Sequence, residues 1–196
     1  MNRREAIQRT AMVLGYAVSA PALMAIVNGC KATPELNYKP VFFTEDQARL
    51  VGELAEILLP KTDTPGAKDV GVPSFIDLVL KDCYQQKDKD RYLAGLQSFD
   101  EEAKKNFGDL FIDLDPEKQK QHVKTIHDQA VEADRKGEFK KEGRPFILMT
   151  KELTLLGYFT SEVGATKVLQ YEPVPGAYHG CLPLAEAGNG KMWATS

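Results

Sequence analysis

Histidine, cysteine and aspartate carry whatever reactive chemistry this chain holds, and their spacing decides among the options. His122 and His127 are five positions apart, which sets them about 140° apart around a helix. Two metal ligands on one helix face need a separation of three or four. The pair flanks an apolar stripe of Val123, Ile126 and Ala130, the placement of partly buried structural histidines. His179 and Cys181 are the residue types of a base and its nucleophile, but no third group is placed to orient them. Asp63, Asp69 and Asp77 bracket a loop rich in Pro and Gly. They lack the alternating oxygen ligands of an EF-hand and are read as caps of turns and of the helix that follows. Arg144 precedes Pro145 and is read as one arm of a surface salt bridge rather than an anion site. Neither Cys-x-x-Cys nor Cys-x-x-Cys-His occurs, which removes the simplest zinc, redox and haem readings. Gly188-Asn189-Gly190-Lys191 matches neither a phosphate-binding loop nor a dinucleotide fingerprint. No catalytic, metal or cofactor-binding residue is assigned to the chain.

The first thirty residues carry a different kind of chemistry. Arg3 and Arg4 are followed by Ile7 and by an uncharged stretch from Thr10 to Gly29, the pattern of a twin-arginine export signal. Gly15, Ser19, Pro21 and Asn28 interrupt that stretch, which argues against a retained membrane span. Val27-Asn28-Gly29-Cys30 reads as a lipobox, with a small residue before the cysteine and an apolar one three positions before it. Cys30 would then carry the lipid and begin the mature chain. The alternative is an ordinary cut after Ala20 or Ala25. Twin-arginine export carries folded proteins, often with a cofactor in place. A folded-export signal on a chain without a cofactor motif therefore places the cofactor in a partner.

The chain has 196 residues and a formal charge of -3; that length suits one domain with its own core. Removal of residues 1–29 takes away Arg3, Arg4, Arg9 and Glu5 and leaves the remainder more acidic. Such a balance excludes nucleic acid as a natural partner. Of the 3 cysteines, Cys83 and Cys181 remain once Cys30 is lipidated. Pairing with each other, pairing with a partner subunit and free thiols all stay open.

The supporting elements read as helices. Residues 1–29 form the signal and 30–41 a linker; 42–185 form the domain and 186–196 a terminal tail. Thr44 and Gln47 form a capping box ahead of an apolar face of Leu50, Val51, Leu54, Ile57 and Leu58, and Pro60 ends that helix. A fixed loop runs to Pro73, which opens a second helix with Phe75, Ile76, Val79, Leu80 and Cys83. Gln85 to Asp90 read as a polar break before a third helix bearing Tyr92, Leu93, Leu96, Phe99 and Ala103. Asp115-Pro116 is a helix start, cap then first helical residue. The helix after Pro145 is apolar nearly all round and should be central, and a short helix over 161–170 follows it. From Tyr171 the chain is rich in Pro, Gly and aromatics, so this arm must bury itself on its own domain or on a partner. The expected fold is all-α: an irregular domain of about five to six helices with an extended tail.

Several pieces resemble one family. They are the Ile57-Leu58-Leu59-Pro60 helix end, the loop Thr62-Asp63-Thr64-Pro65-Gly66-Ala67, the run Gly71-Val72-Pro73-Ser74-Phe75-Ile76-Asp77, and Gly157-Tyr158-Phe159-Thr160-Ser161-Glu162 with Gly164 and Tyr171. With the twin-arginine leader, they resemble the gluconate 2-dehydrogenase subunit 3 family over roughly residues 41 to 185. The resemblance implies a small non-catalytic subunit. Its partner would be a large FAD-dependent oxidoreductase of the glucose–methanol–choline type, often working with a cytochrome c subunit. The small subunit would carry the export signal for both chains and deliver them to the periplasm. The lipobox at Cys30 departs from the family, which does not generally require one; it would attach the complex to the membrane through lipid. Under this reading the partner interface comprises Pro65, Gly66, Pro73, Phe75, Tyr171, Pro173, Tyr178 and His179. The alternative reading is a stand-alone periplasmic lipoprotein that binds a small ligand or metal, or an enzyme using His179 and Cys181.

Overall fold

The computed structural model describes residues 36–140 and 143–171, and in the tail 174, 176, 177, 180–183, 185, 186 and 190–194. Contacts divide the chain at Pro34 into two units, and the described residues all fall in the second, Glu35–Ser196. Arg3, Arg4 and Cys30 lie outside the described residues, as do Pro173, Tyr178 and His179.

Among the described residues five α-helices form the domain: α1 Glu45–Leu58, α2 Val72–Cys83, α3 Gln86–Phe107, α4 Pro116–Arg135 and α5 Phe146–Thr160. Short 3-10 turns cover Phe111–Asp113 and Glu138–Lys140, and a π-helical turn covers Gly164–Val168. The all-α expectation holds, with no strand among the described residues apart from one isolated bridge. Local signals position the helix starts. Thr44 N–H donates to Gln47 Oε1 (3.0 Å), and Gln47 N–H donates to Thr44 Oγ1 (3.3 Å). Asp115 caps α4 by accepting from Lys118 N–H (3.0 Å), with Pro116 in the first turn. Both caps satisfy amides that no helical carbonyl reaches.

Helix α5 packs against each of the other four helices. Its buried residues include Phe146, Ile147, Leu148, Met149, Leu153 and Tyr158, which bears out its central place. Two threonines sit in this core without penalty. Thr150 Oγ1 donates to the Phe146 carbonyl (2.9 Å) and Thr154 Oγ1 to the Thr150 carbonyl (2.7 Å). With its one proton committed, Thr150 Oγ1 accepts from the fully buried Tyr92 hydroxyl at 2.8 Å. Burial pushes the Tyr92 phenol above its usual range, because the phenolate would lose its hydration. Aromatic rings run through the centre: Phe43 to Tyr92 (5.8 Å), Tyr92 to Phe146 (4.9 Å), Phe146 to Phe99 (5.7 Å) and Phe99 to Phe111 (4.9 Å). Two of these pairs, Tyr92–Phe146 and Phe99–Phe111, meet edge to face, an arrangement that adds to plain area burial.

Two expectations are corrected. The polar stretch after Gln85 is helix, not a break, because α3 begins at Gln86. Polar pairs support its first turns: Gln86 with Asp90, and Arg91 with Asp88. Lys89 Nζ also donates to the Lys81 carbonyl near the end of α2. The second correction concerns Asp77. It caps neither a turn nor α2; it sits within α2 and is 1% exposed. Its Oδ2 accepts from Val41 N–H (2.7 Å), and its Oδ1 from Phe42 N–H (3.1 Å) and Phe43 N–H (2.8 Å). One carboxylate thereby satisfies three consecutive amides that precede α1, and it fixes Phe43 against the core.

Candidate functional site

The loop between α1 and α2 has few hydrophobic residues to hold it, yet it is bonded along its length. Glu56, in the last turn of α1, lies under it. Its Oε1 accepts from Lys61 N–H (3.0 Å) and its Oε2 from Lys68 N–H (2.9 Å). Ala67 N–H donates to the Leu59 carbonyl (2.9 Å), closing the loop at its base. Asp69 accepts from Gly66 N–H (3.2 Å) and pairs with Lys61 (3.0 Å). Those bonds hold the Asp69 carboxyl below its ordinary range, the Lys61 bond most strongly. Lys68 reaches back to Glu53 on α1. At the crest Thr62 N–H donates to the Thr64 carbonyl (2.9 Å), and Thr62 Oγ1 donates to Asp63 Oδ1 (3.0 Å). The crest residues Pro60 to Asp63 are exposed.

Helix α5 secures the same loop from the other side. The Tyr158 hydroxyl donates to the Pro65 carbonyl over 2.6 Å. One residue earlier, Gly157 lies against Phe75 of α2; a Cβ there would come within 2.6 Å of the Phe75 ring. Gly66 is the other close approach, where a Cβ would fall 2.1 Å from Glu56 Oε1. The two stretches that carry the resemblance, 62–77 and 157–164, are therefore parts of one platform. Leu78 is one turn beyond Phe75 and 51% exposed, while Leu155 and Leu156 immediately precede Gly157 and are also exposed. Among the expected interface residues, Gly66 and Pro73 are buried, Pro65 and Phe75 are half-buried, and Tyr171 is exposed. Gly66 and Pro73 therefore shape the platform, and any surface contact falls to Pro65, Phe75, Tyr171 and their exposed neighbours. Sequence reading did not single out Glu56 or Leu78; a glutamate in the final turn of a helix that feeds a Pro/Gly loop was the available signal.

His122, His127 and Arg144 have partners within the domain. His122 is buried and its Nε2 lies 2.9 Å from the Phe99 carbonyl, within a cage of Phe99, Phe107 and Phe111. His127 Nε2 lies 2.9 Å from Lys151 Nζ. The structure joins neither histidine to the other. Arg144 forms an exposed ion pair with Glu152 (2.9 Å), as expected. Cys83 and Cys181 are exposed free thiols in this structure. Among the described residues no His, Cys, Asp and Glu cluster is arranged to hold a metal ion, and no helix is long and apolar enough to cross a membrane. An open groove of about 280 Å³ between α3, α4 and α5 is lined mainly by Phe99, Ile126, Ala130, Phe139 and Phe146, with Glu102 and Gln129 at its polar positions. The platform can present a fixed shape to another surface.

A model of the family described as gluconate 2-dehydrogenase subunit 3 matches residues 45–176. Comparison with curated proteins and with solved structures gives no match.

Proposed function

This chain belongs to the gluconate 2-dehydrogenase subunit 3 family, and from that membership we propose that it is a non-catalytic subunit that stabilises and escorts a flavin-dependent sugar or polyol dehydrogenase. The family is one of subunits of a dehydrogenase complex, so partner subunits are implied. The large partner, of the glucose–methanol–choline type, holds the FAD and performs the oxidation; a cytochrome c subunit receives the electrons. The small chain supplies the twin-arginine signal at Arg3 and Arg4 for both. Lipid on Cys30 then holds the complex at the membrane on the periplasmic side.

The single observation that carries this reading is the convergence of the two family stretches on one rigid platform. Tyr158 holds Pro65, Gly157 admits Phe75, and Leu78, one turn beyond Phe75, is exposed. Preorganised surface of this kind lowers the ordering cost of association. His122, His127 and Arg144 are bonded within the domain's own scaffold.

Export is the test. Replacing Arg3→Lys and Arg4→Lys together should leave both this chain and the flavoprotein in the cytoplasm. Continued export of the flavoprotein would overturn the escort role.

A further inference from the structure

Helix α4 is held to the domain by little apolar surface: of its residues only His122, Val123 and Ala130 are buried. A polar link joins it to α5. His127 Nε2 and Lys151 Nζ lie 2.9 Å apart, and the His127 side chain is 21% exposed. Ile126, next to His127, and Ile147, one turn before Lys151, both line the open groove between α3, α4 and α5. The link therefore ties α4 to α5 beside that groove, where the apolar seam is incomplete. A region with few buried apolar contacts opens locally at low cost, so a single polar link matters there.

The pair dictates which ring nitrogen carries the proton. A lysine ammonium donates protons and has no lone pair to accept one. Nε2 is therefore the acceptor, and the ring proton sits on Nδ1, facing Asp128 Oδ1 at 3.4 Å. Bonds from Lys124 first and His127 second hold the Asp128 carboxyl below its ordinary range, so it stays charged while a histidine titrates. Protonation of His127 removes the Nε2 lone pair and sets two cations side by side. The same proton strengthens the contact with Asp128. The charged ring thus keeps its carboxylate on α4 and loses its lysine on α5. The charged groups around it are Lys151 from α5, and Asp128 with its partner Lys124 on α4. From α3, Glu102 lines the neighbouring groove.

We propose that His127 and Lys151 form a proton-sensitive latch between α4 and α5: the neutral imidazole closes it, and the imidazolium opens it and frees α4 beside the groove. The link's contribution is present where His127 is neutral and is lost as acid protonates the ring. The latch does not depend on the accessory-subunit reading.

Amide exchange of the full-length protein, corrected for its intrinsic pH dependence, reads the latch. Protection over residues 126–133, measured relative to Leu153 and Thr154 in α5, should fall about two- to tenfold between about pH 8 and 5, on either side of the ordinary histidine value. His127→Gln keeps an acceptor for Lys151 and cannot titrate, so the fall should vanish. Lys151→Met keeps the apolar stem and removes the ammonium, and it too should abolish the fall. No fall in the parent protein, or an equal fall in either variant, would overturn the latch. Ring nitrogen shifts of His127 give a readout that loosened folding cannot imitate. At about pH 8 the proton should be on Nδ1; a proton on Nε2 would also overturn the latch.

Discussion

The Tyr158 hydroxyl and the Pro65 carbonyl, 93 positions apart in the chain, meet in a hydrogen bond of 2.6 Å. This contact joins the last full helix to the loop after the first, and it makes the platform's shape a property of the whole domain. Tyr158→Phe removes the donor and leaves the carbonyl in place. The expected cost is about 0.5–1.5 kcal/mol in urea unfolding, with faster amide exchange confined to residues 61–68. An unchanged loop exchange rate would show that Glu56 alone fixes the loop.

Gly157→Ala sets two effects against each other. Alanine favours a helix over glycine by about 1 kcal/mol. The added Cβ, however, would sit 2.6 Å from the Phe75 ring, and overpacking of this kind costs about 1–3 kcal/mol. The clash should win, lowering stability by roughly 1 kcal/mol net. Phe75→Leu in the same chain should recover part of the loss by clearing space. Denaturant midpoints of the two single variants and the double variant check this; a stabilised Gly157→Ala would contradict the packing.

Asp77→Asn keeps the size of the side chain and loses its charge. The new amide group would face the Val41 or Phe42/Phe43 N–H groups that the carboxylate now satisfies. Charge-assisted bonds are the stronger kind, so the expected loss is about 2–4 kcal/mol. Urea unfolding measures it, and hydrogen exchange should locate the loosening at residues 41–43. A loss below about 0.5 kcal/mol would mean that the three amides find water at no cost.

Asp115 makes stability depend on acid. Its bonds to Lys118, backbone first, hold its carboxyl below the ordinary range. The unfolded chain therefore takes up the proton first as pH falls. The cap's contribution is whole above the ordinary carboxylate value of about 4 and is lost as pH falls through the lowered one. Asparagine caps about as well as aspartate. Asp115→Asn should match the parent at neutral pH and show a shallower loss of thermal midpoint between about pH 4 and 2. An identical acid limb in both proteins would contradict this.

Local signals were readable in the chain and distant ones were not. Thr44 with Gln47, and Asp115 with Pro116, act within four positions, so residue type and spacing reveal both caps. The apolar circumference of Phe146 to Phe159 likewise announces a central helix. Asp77 was misread because its partners lie 34 to 36 positions away. One clue was available: it shares a helix face with Pro73, Ile76 and Leu80, an unusual place for a carboxylate. Gln86 to Asp90 looked like a break because a first turn held by polar pairs has no apolar periodicity. The loop and the Gly157-Tyr158 pair were each recognisable, but only the fold shows that they touch.

The accessory-subunit reading is tested most directly by native purification. The chain, tagged after Ser196, is drawn from gently solubilised membranes and its absorbance spectrum recorded. A yellow complex with a large flavoprotein in equal amount is the predicted result. A colourless chain alone, at no more than its own 21.8 kDa, would contradict it.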